Sequence, residues 1–534
     1  MTDLDTRSLE NRIDRLIEPW RAEGSPGVTI GVVRGRELVA HRHAGMASVE
    51  HAVPIGPETR FRIASVSKQF TCAAILLLAE RGALDIEAAA RTLLPELPET
   101  YAAITVSQLM HNTSGIRDML EIQRHGGGDL GTPLAAADLL EGILRQRTLN
   151  FQSGARYLYS NSNFFLLGLI VEKLSGIALE AFLDREIFAP LGMTGTAHTP
   201  SLAVPIPHLA TGYLVHDGRL IRAPHAFPLG GEGGLVSRVS DLAIWAANAR
   251  ERRVPSPRVL EALERQTPFT NGTTNLYARG LTARRYRGVP TFSHGGLWPG
   301  FRTEYLRAPE QDAAIIAIAN HGGIDPNLLA HRVLDMILDR AGVVPVPAMP
   351  PADAVRPLAG RWMSPDTGAT LDITVAEDGT VTLNTNGMPS VAEATEDGFL
   401  AVPRSSSLFA VRGAGDDAIE VKLDAGIVQT WRRVPDGAVL ADDLEGAYES
   451  EEMAARWTLS RNEDGTMVAR ARGPVVRGAE WQVEPIAEND VRVHIPGTLM
   501  RGWLDVRIER GAGGAIASLV VTGGRVKAAR FPRV

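Results

Sequence analysis

Strand-like and helical patterns of hydrophobic residues alternate along the first 340 residues of the chain. Patterns typical of helices are found near 7–22, 65–81, 136–147, 163–175 and 327–340. Mostly apolar or alternating runs predict strands at 26–35, 36–45, 279–293 and 301–319. Because the strands lie at both ends of a largely helical middle, we expect residues 1–340 to form an α+β domain with an antiparallel sheet.

The hydrophobic pattern changes after a proline-rich stretch, AGVVPVPAMPPAD at 341–353, which is typical of a linker. Beyond it, short alternating runs separated by Asp-Gly and Gly turns predict an all-β region. This region contains a repeat, in which LAGRWMSPDTGATLDITVAEDGT at 358–380 matches LEGAYESEEMAARWTLSRNEDGT at 444–466. A tandem duplication predicts two small antiparallel β-barrels, at 354–440 and 441–534.

The second repeat is longer than the first. Gly360 and Gly446 are 86 residues apart, whereas the closing Val434 and Val534 are 100 apart, which leaves 14 extra residues in the second unit. We predict that the irregular segment IPGTLMRGW at 495–503 forms part of this insertion, as a functional loop on a rigid barrel. Bulky apolar residues at alternating positions predict filled barrel cores, and a separate lipophile-binding module is the alternative.

Composition and charge narrow the classes of function. A length of 534 residues suggests about three domains. The net charge of −7 and the lack of a lysine or arginine run argue against a nucleic-acid partner. The polar N-terminus lacks the apolar stretch of a signal peptide, and no apolar segment is long enough to span a membrane. With a single cysteine, Cys72, we expect a cytoplasmic protein with no membrane partner and no intrachain disulfide, and a homodimer stays open.

Ser65 and Lys68 form the first candidate for chemistry. Lysine is rare in this chain, with four lysines against fifty-one arginines, and lysine can be tuned to lose its proton whereas arginine cannot. Ser65 begins the apolar helical run SVSKQFTCAAILLLAERG, and positions i and i+3 share a helix face, so the Lys68 amine can approach the Ser65 hydroxyl. Burial against this helix would lower the pKa of the lysine. A nucleophile and its base are therefore predicted within one short segment.

Two further segments carry polar groups suited to the same cleft. Tyr159 and Asn161 lie in a polar loop before a predicted helix and offer a phenol and an amide, and a turn with a helix-capping asparagine is the alternative. His294 leads into Gly295 and Gly296 on a predicted strand. The two glycines would let the strand edge come close to a substrate, and His294 could donate or shuttle a proton, with a structural histidine as the alternative.

Three short motifs occur in the order and spacing of a known family: Ser65-x-x-Lys68, Tyr159-x-Asn161 and His294-x-Gly296. They resemble the motifs of the penicillin-recognising serine hydrolases, which include class C β-lactamases, DD-peptidases and related esterases. The stretches QLMHNTSGI, FAPLGM and GGEGGLVSRVSDLAIW are also similar to that family. The resemblance covers essentially all of 1–340 and implies a β-lactamase-like α/β fold, with an oxyanion hole formed by the backbone N–H groups of Ser65 and Leu297. His294 replaces the lysine that is common in the third motif of class C β-lactamases.

A closer resemblance takes in the whole chain. SVSKQFTC, the His-Gly-Gly form of the third motif and two C-terminal β-barrels are similar to the bacterial D-aminopeptidases, three-domain enzymes that release D-residues from peptide N-termini. In that family a loop of the last barrel enters the catalytic cleft and holds the substrate ammonium with an aspartate. The segment 495–503 contains no acid and offers Arg501 instead. In one interpretation Glu488 or Asp490 replaces that aspartate. In the other, Arg302 or Arg501 binds a substrate carboxylate, as in a carboxypeptidase.

We therefore predict a serine hydrolase that acts on a short peptide or amide bearing a D-residue, with no cofactor and no metal. Ser65 attacks the carbonyl, and Lys68 and Tyr159 share the general-base and general-acid work in an order that the sequence leaves open. Asn161 orients the substrate amide or Lys68, and His294 protonates the leaving group or steadies Tyr159. D-Aminopeptidase activity is the first expectation. The alternatives are a promiscuous esterase or DD-carboxypeptidase with weak β-lactamase activity, and a penicillin-binding sensor that does not turn over.

Overall fold

The structure is a computed structural model that describes residues 6–227, 230–338, 344–345, 347–402, 408–497 and 501–534. Residues 341–343 and 346 of the predicted linker and residues 498–500 of the predicted loop lie outside these ranges. Within the described ranges, none of the helices combines the length and the apolar character that crossing a bilayer requires. Nor do His, Cys, Asp and Glu side chains gather there in a group that could hold a metal ion.

The region before the linker consists of helices around a six-stranded antiparallel sheet, with smaller sheets at its side. Its helices are α1 (Thr6–Ile17), α2 (Lys68–Glu80), α3 (Ala90–Leu93), α4 (Val106–Met110), α5 (Met119–His125), α6 (Ala136–Leu144), α7 (Asn161–Ser175), α8 (Leu179–Leu183), α9 (Ala189–Leu191), α10 (Val239–Glu251), α11 (Pro257–Leu263) and α12 (Pro326–Leu338). Its strands are β1 (Val28–Arg34), β2 (Glu37–Ala44), β3 (Met46–Ser48), β4 (Val53–Pro54), β5 (Phe61–Arg62), β6 (Ala197–His198), β7 (Tyr213–His216), β8 (Arg219–Arg222), β9 (Leu235–Ser237), β10 (Thr282–Tyr286), β11 (Val289–Trp298), β12 (Phe301–Ala308) and β13 (Ala313–Ala319).

The six-stranded sheet joins the two ends of this region. Its strand order is β10-β11-β12-β13-β1-β2, so the early hairpin pairs with the late strand β13. Helices α1 and α12 pack on one face through apolar residues that include Ile13 and Val333, and the other face meets the helical core around α2. Burial on both faces explains why β13 is entirely apolar and β1 mostly apolar, without alternation.

Two all-β sheets follow the short helix α13 (Ala352–Val355), and each curls into a nearly closed barrel. The first barrel contains β14 (Gly360–Met363), β15 (Thr370–Val375), β16 (Val381–Thr385), β17 (Met388–Val391), β18 (Glu393–Ala394), β19 (Leu400–Ala401), β20 (Phe409–Gly413), β21 (Ala418–Leu423) and β22 (Val428–Arg433). The second contains β23 (Gly446–Ser450), β24 (Ala455–Arg461), β25 (Met467–Arg472), β26 (Arg477–Ala487), β27 (Asp490–Ile495), β28 (Gly502–Arg510), β29 (Ile516–Gly523) and β30 (Val526–Pro532). Its first and last strands meet at a bridge between Tyr448 and Arg533.

The sequence repeat corresponds to a repeat in the structure. The first strand of each barrel carries a buried aromatic residue, Trp362 or Tyr448, that donates a hydrogen bond to the carbonyl oxygen four residues earlier, at 2.8 and 2.9 Å respectively. An arginine from the end of the last strand covers each ring, with Arg433 Cζ 4.2 Å from the Trp362 ring centre and Arg533 Cζ 5.7 Å from that of Tyr448. Buried apolar side chains fill both interiors, as predicted.

The second barrel packs directly against the helical region. Ile122 of α5 belongs to the apolar core of that barrel. Trp457 donates a hydrogen bond from Nε1 to the carbonyl oxygen of His125, at 2.7 Å. Glu452 accepts one from the backbone N–H of Thr148, also at 2.7 Å. These contacts place the second barrel beside α5 and the loop that follows α6.

Candidate active site

Ser65 lies in a 3₁₀ turn, Ala64–Ser67, immediately before helix α2. Lys68 is the first residue of α2, and its Nζ donates a hydrogen bond to Ser65 Oγ at 3.1 Å. Ala64 has a φ of 48°, a left-handed conformation that is strained for a residue with a Cβ. The turn leaves Ser65 partly exposed while Lys68 is fully buried. The hydroxyl and the amine thus make the contact that their spacing in the sequence predicts.

Three acceptors hold the amine of Lys68. Besides Ser65, it contacts Asn161 Oδ1 at 3.0 Å and the carbonyl oxygen of Glu232 at 2.5 Å. Burial lowers the pKa of Lys68 to about 7, although the nearby carboxylate of Glu232 opposes this effect. An amine with this pKa is partly neutral near pH 7 and can accept the proton of Ser65.

Tyr159 covers the same amine, with its ring centre 4.8 Å from Lys68 Nζ. Its buried hydroxyl makes no hydrogen bond of standard geometry within the described residues, yet Ser65 is close enough to favour the ionised form of the phenol. Burial has the larger effect and raises the pKa of Tyr159 above its ordinary value. Of the two candidate bases, Lys68 is therefore the one whose pKa is shifted toward neutrality.

Asn161 connects Lys68 to a buried carboxylate. It begins helix α7, and its Nδ2 and its backbone N–H both donate to Asp118 Oδ2, at 2.9 and 2.7 Å. The other oxygen of Asp118 accepts from the backbone N–H groups of Leu120 and Glu121 and so caps helix α5. This network fixes the amide of Asn161 with its oxygen toward Lys68.

Strand β11 approaches the Ser65 turn at Gly296. A Cβ at this position would lie 2.3 Å from the carbonyl oxygen of Ile63, so a larger residue would push the strand away. The next residue on the same strand is Leu297, which is 58% exposed. The backbone N–H groups of Ser65 and Leu297 thus belong to two segments in close contact, which is what the oxyanion-hole hypothesis requires.

His294 is buried and uncharged near neutral pH. Burial, with a further contribution from Lys68, lowers the pKa of His294 to about 3. Its Nδ1 lies 2.7 Å from the carbonyl oxygen of Gly295, so Nδ1 carries the proton and Nε2 accepts a hydrogen bond from the Tyr277 hydroxyl at 2.8 Å. Both ring nitrogens are engaged, which argues against His294 as the donor to a leaving group. Its ring centre lies 6.1 Å from that of Tyr159, which favours the other predicted role, steadying Tyr159.

Three residues that were predicted to bind substrate contact other parts of the protein. Arg302 donates to two carbonyl oxygens of the turn between β11 and β12. Asp490 pairs with Arg507 at 2.9 Å where the two barrels meet. Arg501 is exposed, and its backbone lies beside Gly387 of the first barrel. These contacts give Arg302 and Asp490 partners within the protein, and their roles in substrate binding stay predictions.

Four residues near Ser65 were not among the sequence-predicted site residues: Asp118, Glu232, Tyr277 and Arg525. Asp118 follows the family-like stretch QLMHNTSGI by two residues, and Glu232 lies inside GGEGGLVSRVSDLAIW, so closer attention to the acids of these stretches would have found both. Tyr277 and Arg525 lie in segments without a recognisable motif. They reach the site only through the packing of distant parts of the chain.

Arg525 brings the second barrel into the site. It lies in the turn between β29 and β30, and its Cζ is 4.6 Å from the ring centre of Tyr159. Its Nη1 lies 3.3 Å from Asp118 Oδ2. Among the described residues, the second barrel therefore contacts the candidate catalytic side chains through this turn.

Known proteins are similar to this chain in sequence and in structure. The family model described as Beta-lactamase matches residues 13–336. The D-aminopeptidase of Cereibacter sphaeroides is 27% identical over 493 residues, which cover 90% of each chain. The octameric penicillin-binding protein homologue from Pyrococcus abyssi has a TM-score of 0.57 at 20% identity, over 87% of this chain and 98% of that one. The D-amino acid amidase from Ochrobactrum anthropi SV3 has a TM-score of 0.54 at 24% identity, over 63% of this chain and 100% of that one. At these identities the structural likeness shows the fold alone.

Proposed function

The chain belongs to the Beta-lactamase family, and from this premise we propose that it is a serine hydrolase that releases D-residues from the N-termini of short peptides through an acyl-enzyme. The observation that carries the proposal is the Lys68 amine, 3.1 Å from the Ser65 hydroxyl and with its pKa lowered to about 7. The specificity rests on the D-aminopeptidase relatives, which match the chain through both barrels.

Acylation begins when Ser65 Oγ attacks the carbonyl carbon of the substrate. Neutral Lys68 accepts the hydroxyl proton, because its pKa is lowered while that of Tyr159 is raised. The backbone N–H groups of Ser65 and Leu297 stabilise the oxyanion. The C–N bond then breaks, the leaving amine takes the phenol proton of Tyr159, and Lys68 returns a proton to Tyr159.

Deacylation repeats these steps with water in place of Ser65. Water gives a proton to neutral Lys68 as its oxygen attacks the ester carbonyl, and Ser65 Oγ leaves and takes the proton back. Asn161 and Asp118 keep the amine aligned throughout. His294 acts as a positioning residue, since it packs beside Tyr159 and both of its nitrogens are bound.

Replacing Tyr277 with phenylalanine tests the role of His294. The change leaves Nε2 of the buried His294 without its donor at 2.8 Å. Such a loss costs about 1–3 kcal/mol, so we expect kcat/KM to fall about 5- to 150-fold as the ring shifts against Tyr159. Steady-state kinetics on an activated D-amino acid ester measure the change.

Tyr305→Phe is the matched control for this variant. Tyr305 is also buried, and its hydroxyl has no hydrogen-bond partner within the described residues, so its loss should leave kcat/KM unchanged. Equal kinetics for Tyr277→Phe and Tyr305→Phe would count against a positioning role for His294.

Turnover of D-Ala-p-nitroanilide, of its N-acetyl form and of the L-isomer tests the proposed specificity. A D-aminopeptidase should cleave the free-amine D-anilide and leave the acetylated and L-compounds largely intact. If none of the anilides is cleaved while p-nitrophenyl esters react, the result favours the esterase alternative. A burst of product without further turnover would favour the penicillin-binding sensor.

A further inference from the structure

Arg525 places a positive charge beside Tyr159 in the candidate active site. Burial opposes its charge, but the carboxylate of Asp118 and further acidic groups outweigh this effect and raise the pKa of the guanidinium, which stays charged. The side chain nevertheless keeps 38% of its surface accessible. Its Cζ lies 4.6 Å from the ring centre of Tyr159, so the accessible part of the guanidinium lies beside that tyrosine.

Asp118 contacts only one nitrogen of the Arg525 guanidinium. Its Oδ2 already accepts two hydrogen bonds from Asn161, at 2.7 and 2.9 Å, and the Arg525 contact at 3.3 Å is the longest of the three. Among the described residues, Nε and Nη2 of Arg525 make no hydrogen bond to a protein acceptor. Donors of this charged fork therefore remain for a ligand.

The carboxylates of Asp118, Glu121 and Glu232 are buried and offer little accessible surface to a substrate ammonium. Asp118 is fully buried under its hydrogen bonds. Glu121 is 10% exposed and pairs with Arg124 at 3.3 Å. Glu232 is 4% exposed; one of its oxygens accepts a hydrogen bond from the backbone N–H of Gly230, and the other is buried without a hydrogen-bond partner among the described residues. The accessible charge next to Tyr159 is therefore positive, which suits an anionic group on the substrate.

We propose that Arg525, which lies over the ring of Tyr159, binds the carboxylate of the leaving residue, so that the preferred substrates are dipeptides in which a D-residue is followed by one residue with a free carboxylate. This inference rests on the proposed function. The amine that Tyr159 protonates is separated from the carboxylate carbon of the same amino acid by two bonds. Arg525 covers that tyrosine, and a guanidinium binds a carboxylate through two parallel hydrogen bonds.

The test compares D-Ala-Gly with D-Ala-glycinamide, which differ only in the charge of the leaving residue. For the unmodified protein we expect kcat/KM to be about 10- to 100-fold higher for the acid than for the amide, as is usual for a charged hydrogen-bonded pair. Arg525→Gln should bring this ratio close to one. Arg525→Lys, which keeps the charge and loses the fork, should give an intermediate ratio.

Arg530→Gln is the matched control on the same hairpin. Arg530 is 61% exposed and pairs with Glu509 at 2.6 Å. The acid-to-amide ratio of kcat/KM in Arg530→Gln should therefore equal that of the unmodified protein. An acid-to-amide ratio near one in the unmodified protein would overturn the inference, and so would an unchanged ratio in Arg525→Gln.

D-Ala-p-nitroanilide has no carboxylate, so its cleavage tests the aminopeptidase function separately from the carboxylate site. If the anilide is cleaved while the acid and the amide react equally, only the carboxylate site is wrong. If every D-substrate resists, the aminopeptidase function is wrong and the carboxylate site falls with it.

Discussion

Replacing Ser65 with alanine is expected to lower kcat/KM for D-Ala-p-nitroanilide by about 10⁴-fold or more. The variant lacks the oxygen that Lys68 contacts at 3.1 Å, so no acyl-enzyme can form. Rapid mixing with a p-nitrophenyl ester measures the same step directly, because a burst of nitrophenol equal to the enzyme concentration should disappear. Mass spectrometry after quenching should show the acyl adduct on the unmodified chain and none on the variant.

Ser153→Ala is the control for the loss of a serine hydroxyl. Ser153 lies near the Tyr159 segment and donates to Gln108 at 2.6 Å. The variant should keep the burst and nearly all of the turnover. A burst that persists in Ser65→Ala would identify another nucleophile and overturn the proposed mechanism.

Replacing Lys68 with arginine is expected to lower kcat/KM by about 10²- to 10⁴-fold, the usual contribution of a general base. A guanidinium stays protonated and cannot accept the proton of Ser65. Thermal unfolding of the variant, followed by circular dichroism, shows whether the buried site tolerates the larger side chain. The comparison of activity is made at a temperature where both proteins are folded.

The pH dependence of kcat/KM gives an independent measure of the same base. Lys68 is active when it is neutral, and burial lowers its pKa to about 7. The rate should therefore rise as the pH increases through about 7 and level off above it. An ordinary lysine would place this rise above pH 10.

Lys173→Arg controls for the exchange of lysine for arginine. Lys173 is exposed in the last turn of α7, and its replacement should leave both the rate and the pH profile unchanged. A rise near pH 7 that persists in Lys68→Arg would assign the titration to another group and overturn Lys68 as the base.

The fold class follows from the sequence because its main signals are local. The α+β pattern and the two repeated all-β units are both confirmed, as is membership of the predicted family. The boundaries of individual helices and strands are less well predicted. The helix expected near 7–22 ends at Ile17, because Pro19 lacks the backbone N–H that a further α-helical turn needs, and a 3₁₀ turn at Glu18–Trp20 follows.

Some features of the candidate site could also be predicted from a single segment, whereas others depend on how the chain packs. The contact between Ser65 and Lys68 is set by three residues of spacing at a helix start, so it could be predicted from one segment. Asn161 orienting Lys68 was one of two predicted roles, and the hydrogen bond at 3.0 Å supports it. The order of the two bases could not be predicted, because desolvation depends on what packs around each group after folding.

The sequence by itself determined the family, the fold class and the local contact between nucleophile and base, because these depend on periodicity and on residues close together in the chain. Only the tertiary structure decided the electrostatics of the cleft. Arg525 is more than 350 residues from Tyr159 in sequence, and the docking of the second barrel on α5 brings the two into contact. Such a contact has no signature in either segment, since its energy depends on burial and on charges that meet only when the domains pack together.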